Sequence, residues 1–227
     1  MKKTAILLLC AISIFFACEK NNDIESVFNR AEKLETDILK SINSIAECKH
    51  SYEKILIEAP ESEFAPIACY KLGKLNEIFG HYEEAIDYYQ KLASLYPENP
   101  VSGDGLFNMA QIYQLHLNQG EKAIFTYDQF ISLYPDNKAV LQANIEIDQI
   151  YCQKEKWGSA VETFQQVVDK YPGEKISDDI YFRMADITQF KLKNDSTASN
   201  MYQELIKKFP NSSWLKNAEA RLADLKK

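Results

Sequence analysis

The chain of 227 residues carries 26 Lys and Arg against 33 Asp and Glu, a formal charge of −7, and its apolar fraction is ordinary for a folded protein. A surface of that sign exerts no long-range attraction on nucleic acid or on anionic lipid, so the composition argues against nucleic-acid binding and leaves membrane attachment to some other device.

The N-terminus supplies such a device. Met1-Lys2-Lys3 is a basic start, Ala5 to Ala17 is apolar apart from Ser13, and Cys18 follows Phe16-Ala17. The apolar run is short for a membrane-spanning helix and reads as a secretory signal over residues 1–17. Cys18, with a small residue before it and the polar tether Glu19-Lys20-Asn21-Asn22-Asp23 after it, resembles a bacterial lipoprotein cleavage site, although Phe15 stands where Leu is usual. Acyl chains on Cys18 would hold the protein to a membrane by burying their methylenes; ordinary cleavage and an uncleaved anchor are the alternatives. Removal of residues 1–17 takes away Lys2 and Lys3, leaving 24 cationic residues against 33 anionic and a charge of −9.

Residues 24–227 read as one domain of repeats. Five of the seven prolines, Pro60, Pro97, Pro135, Pro172 and Pro210, fall 37, 38, 37 and 38 residues apart, and four of them follow Tyr or Phe. Twelve residues before each lies Cys48, Ala85, Ala123, Ala160 or Ala198, and eight before lies Tyr52, Tyr89, Tyr127, Phe164 or Tyr202. A small residue and an aromatic four positions later share one helix face, the first admitting a neighbouring helix and the second filling the next gap. They mark the second helix of a helical hairpin, and the proline ends it.

The first helix carries Cys69-Tyr70-Lys71-Leu72-Gly73, Leu106-Phe107-Asn108-Met109-Ala110 and Tyr181-Phe182-Arg183-Met184-Ala185. The remaining copy, Asn144-Ile145-Glu146-Ile147-Asp148, puts Asp where a small residue is expected. Gly80, Gly120 and Gly158 are expected in the turns between the two helices. Ahead of the array, Ile24, Val27, Ala31, Leu34, Ile38 and Ile42 recur at helical spacing and predict an amphipathic helix; behind it, Trp214, Leu215, Ala218, Leu222 and Leu225 predict a capping helix.

The order Leu72, Gly73, Gly80, Tyr82, Ala85, Tyr89, Pro97 resembles the tetratricopeptide repeat, with three or four residues added after the proline. The resemblance implies an all-α, right-handed superhelical solenoid of about five helical hairpins with a C-terminal cap, and a function in protein contact. The long loops Tyr96-Pro97-Glu98-Asn99-Pro100 and Phe209-Pro210-Asn211-Ser212-Ser213-Trp214 look like the BamD and YbgF group of bacterial envelope proteins.

Signs of chemistry are few. His50, His81 and His116 are scattered, with no pair at metal-ligand spacing, and no Gly-rich phosphate loop or serine elbow occurs. Glu83-Glu84 and Asp178-Asp179 are expected at helix starts, where carboxylates meet the positive end of the helix. No catalytic residue, metal or cofactor is expected. Cys48 and Cys69 read as small buried hydrophobes and Cys152 as more exposed; a disulfide among them stays open.

In tetratricopeptide arrays the first helices line a groove, which turns columns of the repeat into rows. Tyr70, Phe107, Ile145 and Phe182 form an apolar row, and Lys74, Gln111, Gln149 and Asp186 a polar row beside it. Such rows serve an extended peptide or a partner helix; the alternative is that the apolar row is packing between helices. The reading is a non-enzymatic, lipid-anchored scaffold of the bacterial outer membrane, facing the periplasm, that binds proteins through its groove. A BamD-like part in outer-membrane protein assembly is implied by the resemblance. A YbgF or Tol-Pal type adaptor in the envelope or in cell division, and a surface receptor for peptide or glycan, are the alternatives.

Overall fold

The computed structural model describes residues 23–36, 42–170 and 177–225, and the described residues are helices joined by short turns. The signal segment, Cys18, Ile38 and Pro172 lie outside them, as does the side chain of Ile42. In chain order the helices are α1 (23–36), α2 (Ile42–Glu58), α3 (Phe64–Ile78), α4 (Tyr82–Leu95), α5 (Pro100–Gln111, continued by a π-helical turn Ile112–His116) and α6 (Gly120–Leu133). Then come α7 (Val140–Gln153), α8 (Trp157–Lys170), α9 (Ser177–Phe190), α10 (Asp195–Lys208) and α11 (Leu215–Asp224). The odd-numbered helices are the first helices of the repeat, the even-numbered ones the second, and α11 is the expected cap. No described helix is long and apolar enough to cross a membrane.

The chain divides into two compact units, Met1–Leu117 and Asn118–Lys227. In the first unit α2 packs on α3, α3 on α4 and α4 on α5. Its core joins Ile24, Phe28 and Ala31 of α1 to Cys48, Tyr52, Leu72 and Leu75, with the Phe28 ring 5.9 Å from Tyr52 and 5.0 Å from Phe64. In the second unit each helix from α6 to α11 packs on the next, around Phe164, Val167, Ile180, Met184, Tyr202 and Leu205.

The repeat columns are the core. Cys48, Ala85, Ala123, Ala160 and Ala198 are wholly buried, as are Tyr52, Tyr89, Tyr127, Phe164 and Tyr202. The small residue allows the close approach that the aromatic four positions later then fills. Glu83 and Glu84 lie in the first turn of α4, and Asp178 and Asp179 in that of α9. Asn99 caps α5 by accepting from the Val101 backbone N–H, with Pro100 as the first helical residue.

The turns correct one expectation. Of the three turn glycines only Gly80 has a positive φ, at 77°; Gly120 opens α6 and Gly158 is the second residue of α8. The left-handed residues of the other turns are Asn118 (52°), Glu155 (56°) and Lys193 (56°). Together with Gly80 they recur 38, 37 and 38 residues apart, so the hairpin needs one left-handed residue at a fixed place, and the glycines of the later copies sit beyond it.

Candidate partner-binding face

The first helices are fastened to the core by buried phenols. Tyr52 Oη donates to Glu35 of α1 at 2.9 Å, Tyr89 Oη to Glu77 of α3 at 2.8 Å, and Tyr202 Oη to Asp186 of α9 at 2.5 Å. Each carboxylate also holds a cation, Lys71 at 3.0 Å, Lys74 at 3.1 Å and Arg221 at 3.2 Å respectively. Burial first, and the neighbouring carboxylate after it, push all three phenols above their ordinary range, so they stay neutral donors. Lys74 and Asp186 of the polar row are thus members of these phenol–carboxylate–cation groups, while Gln111 and Gln149 are half-buried.

The apolar row is distributed between core and surface. In the first unit Tyr70 and Phe107 are half-buried; the Tyr70 hydroxyl accepts from Asn108 Nδ2 at 3.2 Å and its ring lies 6.0 Å from Tyr89. In the second unit Ile145 and Phe182 are buried. Phe182 stacks on Trp214 with centroids 4.4 Å apart and planes 14° apart, and meets Tyr202 at 5.9 Å. Its ring is helix packing as well as a wall.

What it walls is a cavity of about 650 Å³ in the second unit. The first helices α7, α9 and α11 contribute Cys152; Asp179, Phe182, Arg183, Asp186 and Ile187; and Asn217 and Arg221, with Trp157 and Trp214 at the starts of α8 and α11. Of the expected groove residues the structure brings Phe182 and Asp186 into it.

Beside this cavity lies the residue that breaks the repeat. Asp148 occupies the column that holds Gly73, Ala110 and Ala185 in the other copies, and it is fully buried. Its oxygens accept from the Cys152 thiol at 3.7 Å, and the Arg183 guanidinium, 41% exposed, stands 3.8 Å away. Burial pushes the carboxyl up to about 7 against the lowering pull of Arg183 and Cys152. Arg183 also lies over the Phe164 ring at 5.3 Å, where the other phenol columns have a hydroxyl.

Cys48, Cys69 and Cys152 are free thiols. Cys48 donates to the Ala31 carbonyl at 3.3 Å and Cys69 to that of Tyr88 at 3.2 Å. Burial pushes both, and the half-buried Cys152, up to about 11, which matches small buried hydrophobes for the first two. No cluster of three or more metal-ligating side chains occurs among the described residues.

The tetratricopeptide-repeat pattern matches residues 66–99, 104–137, 149–173 and 179–212, more than half of the chain. The chain belongs to the tetratricopeptide-repeat family. Among solved structures it is similar to a tetratricopeptide repeat protein from Parabacteroides merdae ATCC 43184, with a TM-score of 0.55 and 19% identity over 88% of this chain and 72% of that one. It is also similar to the MamA protein, with a TM-score of 0.55 and 16% identity over 82% and 91%. A third likeness is to MamA from Desulfovibrio magneticus RS-1, with a TM-score of 0.50 and 14% identity over 86% and 97%. At these identities the likeness is one of fold. No curated relative matches the sequence.

Proposed function

We propose that this repeat protein is a lipid-anchored scaffold of the bacterial cell envelope that holds protein partners against its first helices. In this reading it has a BamD-like part in assembling outer-membrane proteins. Protein contact is what tetratricopeptide repeats provide. The observation that carries the site is the cavity of the second unit, where side chains from three successive first helices converge. The anchor rests on the basic start, the short apolar run and Cys18. An acidic surface supplies no attraction of its own to lipid, which makes acylation the attachment the reading needs.

Two measurements test it. Intact mass and membrane fractionation of the native protein are compared with Cys18→Ser, whose release from membranes supports the anchor and whose retention removes it. A mild-detergent pull-down of the tagged native protein is compared with a variant carrying Arg at Gln111, Gln149 and Asn217, whose native helix content is checked by circular dichroism. Loss of a membrane β-barrel partner supports recruitment through this face, and unchanged partners move binding elsewhere. Recovery of soluble or cell-wall proteins alone ends the assembly reading.

A further inference from the structure

The cavity of the second unit has a cation whose hydrogen bonds are largely unmade. Arg183 reaches its one described carboxylate, Asp148, only at 3.8 Å, outside hydrogen-bond range, and turns 41% of its side chain outward. Arg221, across the cavity, gives Nε to Asp186 and lies over the Phe190 ring at 4.6 Å, so it is already engaged. Asp186 is occupied by Tyr202 and Arg221 together. The stacked rings of Phe182 and Trp214 give an apolar wall beside these groups, and the Asp179 carboxylate and Asn217 amide stand at the edge as acceptor and donor. A guanidinium fork matches a carboxylate in a bidentate way that a lone buried partner at 3.8 Å does not supply.

Resting on the reading that partners bind the first-helix face, we infer that this cavity takes an acidic side chain of an extended peptide, Arg183 turning from Asp148 to the ligand's carboxylate. The flanking apolar residue of the peptide lies on the Phe182–Trp214 wall, and Asp179 and Asn217 meet its backbone. Asp148 is the built-in competitor. Left without its cation it is a buried, isolated charge, so it takes a proton from solvent as the ligand arrives. Its surroundings make this exchange specific. Arg183 faces it from α9 and Cys152 from its own helix, and α6 and α8, which pack on α7, bring no charged group to bear on it. On the Arg183 side the cavity presents Asp179, Asp186 and Arg221. With Asp148 titrating at about 7, proton uptake weakens binding by about tenfold near pH 8 and hardly at all near pH 6. No histidine is among the residues that line this cavity.

The probe is a tetramethylrhodamine-labelled nonapeptide alternating Phe and Glu, set against its Gln counterpart, with the full-length protein in mild detergent at physiological salt. Anisotropy is expected to show tighter binding of the Glu peptide, strengthening about tenfold from pH 8 to pH 6. Arg183→Gln should abolish the preference for Glu, and Asp148→Asn should bind equally at both pH values, at the tighter level. Equal affinity for the two peptides, a preference that survives Arg183→Gln, a pH dependence that survives Asp148→Asn, or no binding of either peptide by folded protein overturns the inference. Each leaves the pull-down with native partners to decide the scaffold reading separately.

Discussion

The ring of Tyr89 lies so close to the backbone of Gly73 that a Cβ built there would come within 3.0 Å of three ring carbons, Cδ1, Cε1 and Cζ. Tyr89 cannot swing aside freely, since its hydroxyl is held by Glu77 and its ring is wholly buried. Gly73→Ala is therefore expected to destabilise the first unit by about 1–3 kcal/mol, the ordinary range for overpacking. Denaturant unfolding of Gly73→Ala, Tyr89→Leu and the double variant should show the two effects coupled, because removal of the ring removes the collision. Additive effects would mean that the ring yields at no cost.

The left-handed turn residues lead to stabilising changes. Glu155 and Lys193 are exposed and hold φ values near 56°, a conformation that costs a side chain about 1–2 kcal/mol and glycine nothing. Glycine's greater freedom in the unfolded chain takes back part of that gain. Glu155→Gly and Lys193→Gly should each raise stability by about 0.5–1 kcal/mol, and Gly80→Ala should lower it by a similar amount. Thermal melts of the three variants check the sign at each turn.

Asp148 makes stability depend on pH in a defined direction. Its folded carboxyl titrates at about 7, well above the ordinary 3.8, so the folded state holds the proton more tightly than the unfolded one. Between about pH 4 and pH 7 the folded chain is protonated at this site and the unfolded chain is not, and stability contributed here falls as pH rises; above about 7 the full penalty is in place. Asp148→Asn has no such titration. Its stability relative to the native chain should grow from little near pH 4 to a few kcal/mol near pH 7 and stay level beyond, as read by denaturant midpoints.

Thiol chemistry gives an independent check of the packing. Cys48 and Cys69 are buried with thiols pushed up to about 11. Iodoacetamide at neutral pH should leave both unmodified in the native protein and alkylate both in denaturant. Peptide mass mapping reads the difference, and rapid native labelling of either would show that its helix opens.

The hairpins were legible because their punctuation is regular: Pro60, Pro97, Pro135 and Pro210 follow second helices, and the alanine and aromatic columns counted back from them are the buried ones. Turn chemistry was harder to read. Glycine is the residue that usually signals a left-handed position, and this chain puts Asn118, Glu155 and Lys193 there, with Gly120 and Gly158 displaced into the helices. The cavity was legible only in part. Phe182 and Asp186 fall on the expected rows, whereas Arg183 lies on a neighbouring column, and Trp214, Asn217 and Arg221 belong to the cap, whose stripe reads as a lid for the core. The mark of the site in the sequence is Asp148, an acid in a column of small residues, whose significance depends on the cation from the next first helix and on the burial of the carboxyl.

The last helix closes the core through Ala218 and Leu222 while its Trp214, Asn217 and Arg221 build one side of the cavity. The residues that stop the repeat from stacking further are thus the ones that shape a place for something else. A chain lengthened by grafting another hairpin after Lys208 would gain a longer array and forfeit this pocket. If the cavity binds as proposed, array length and binding are set against each other at α11, which serves the core and the pocket at once.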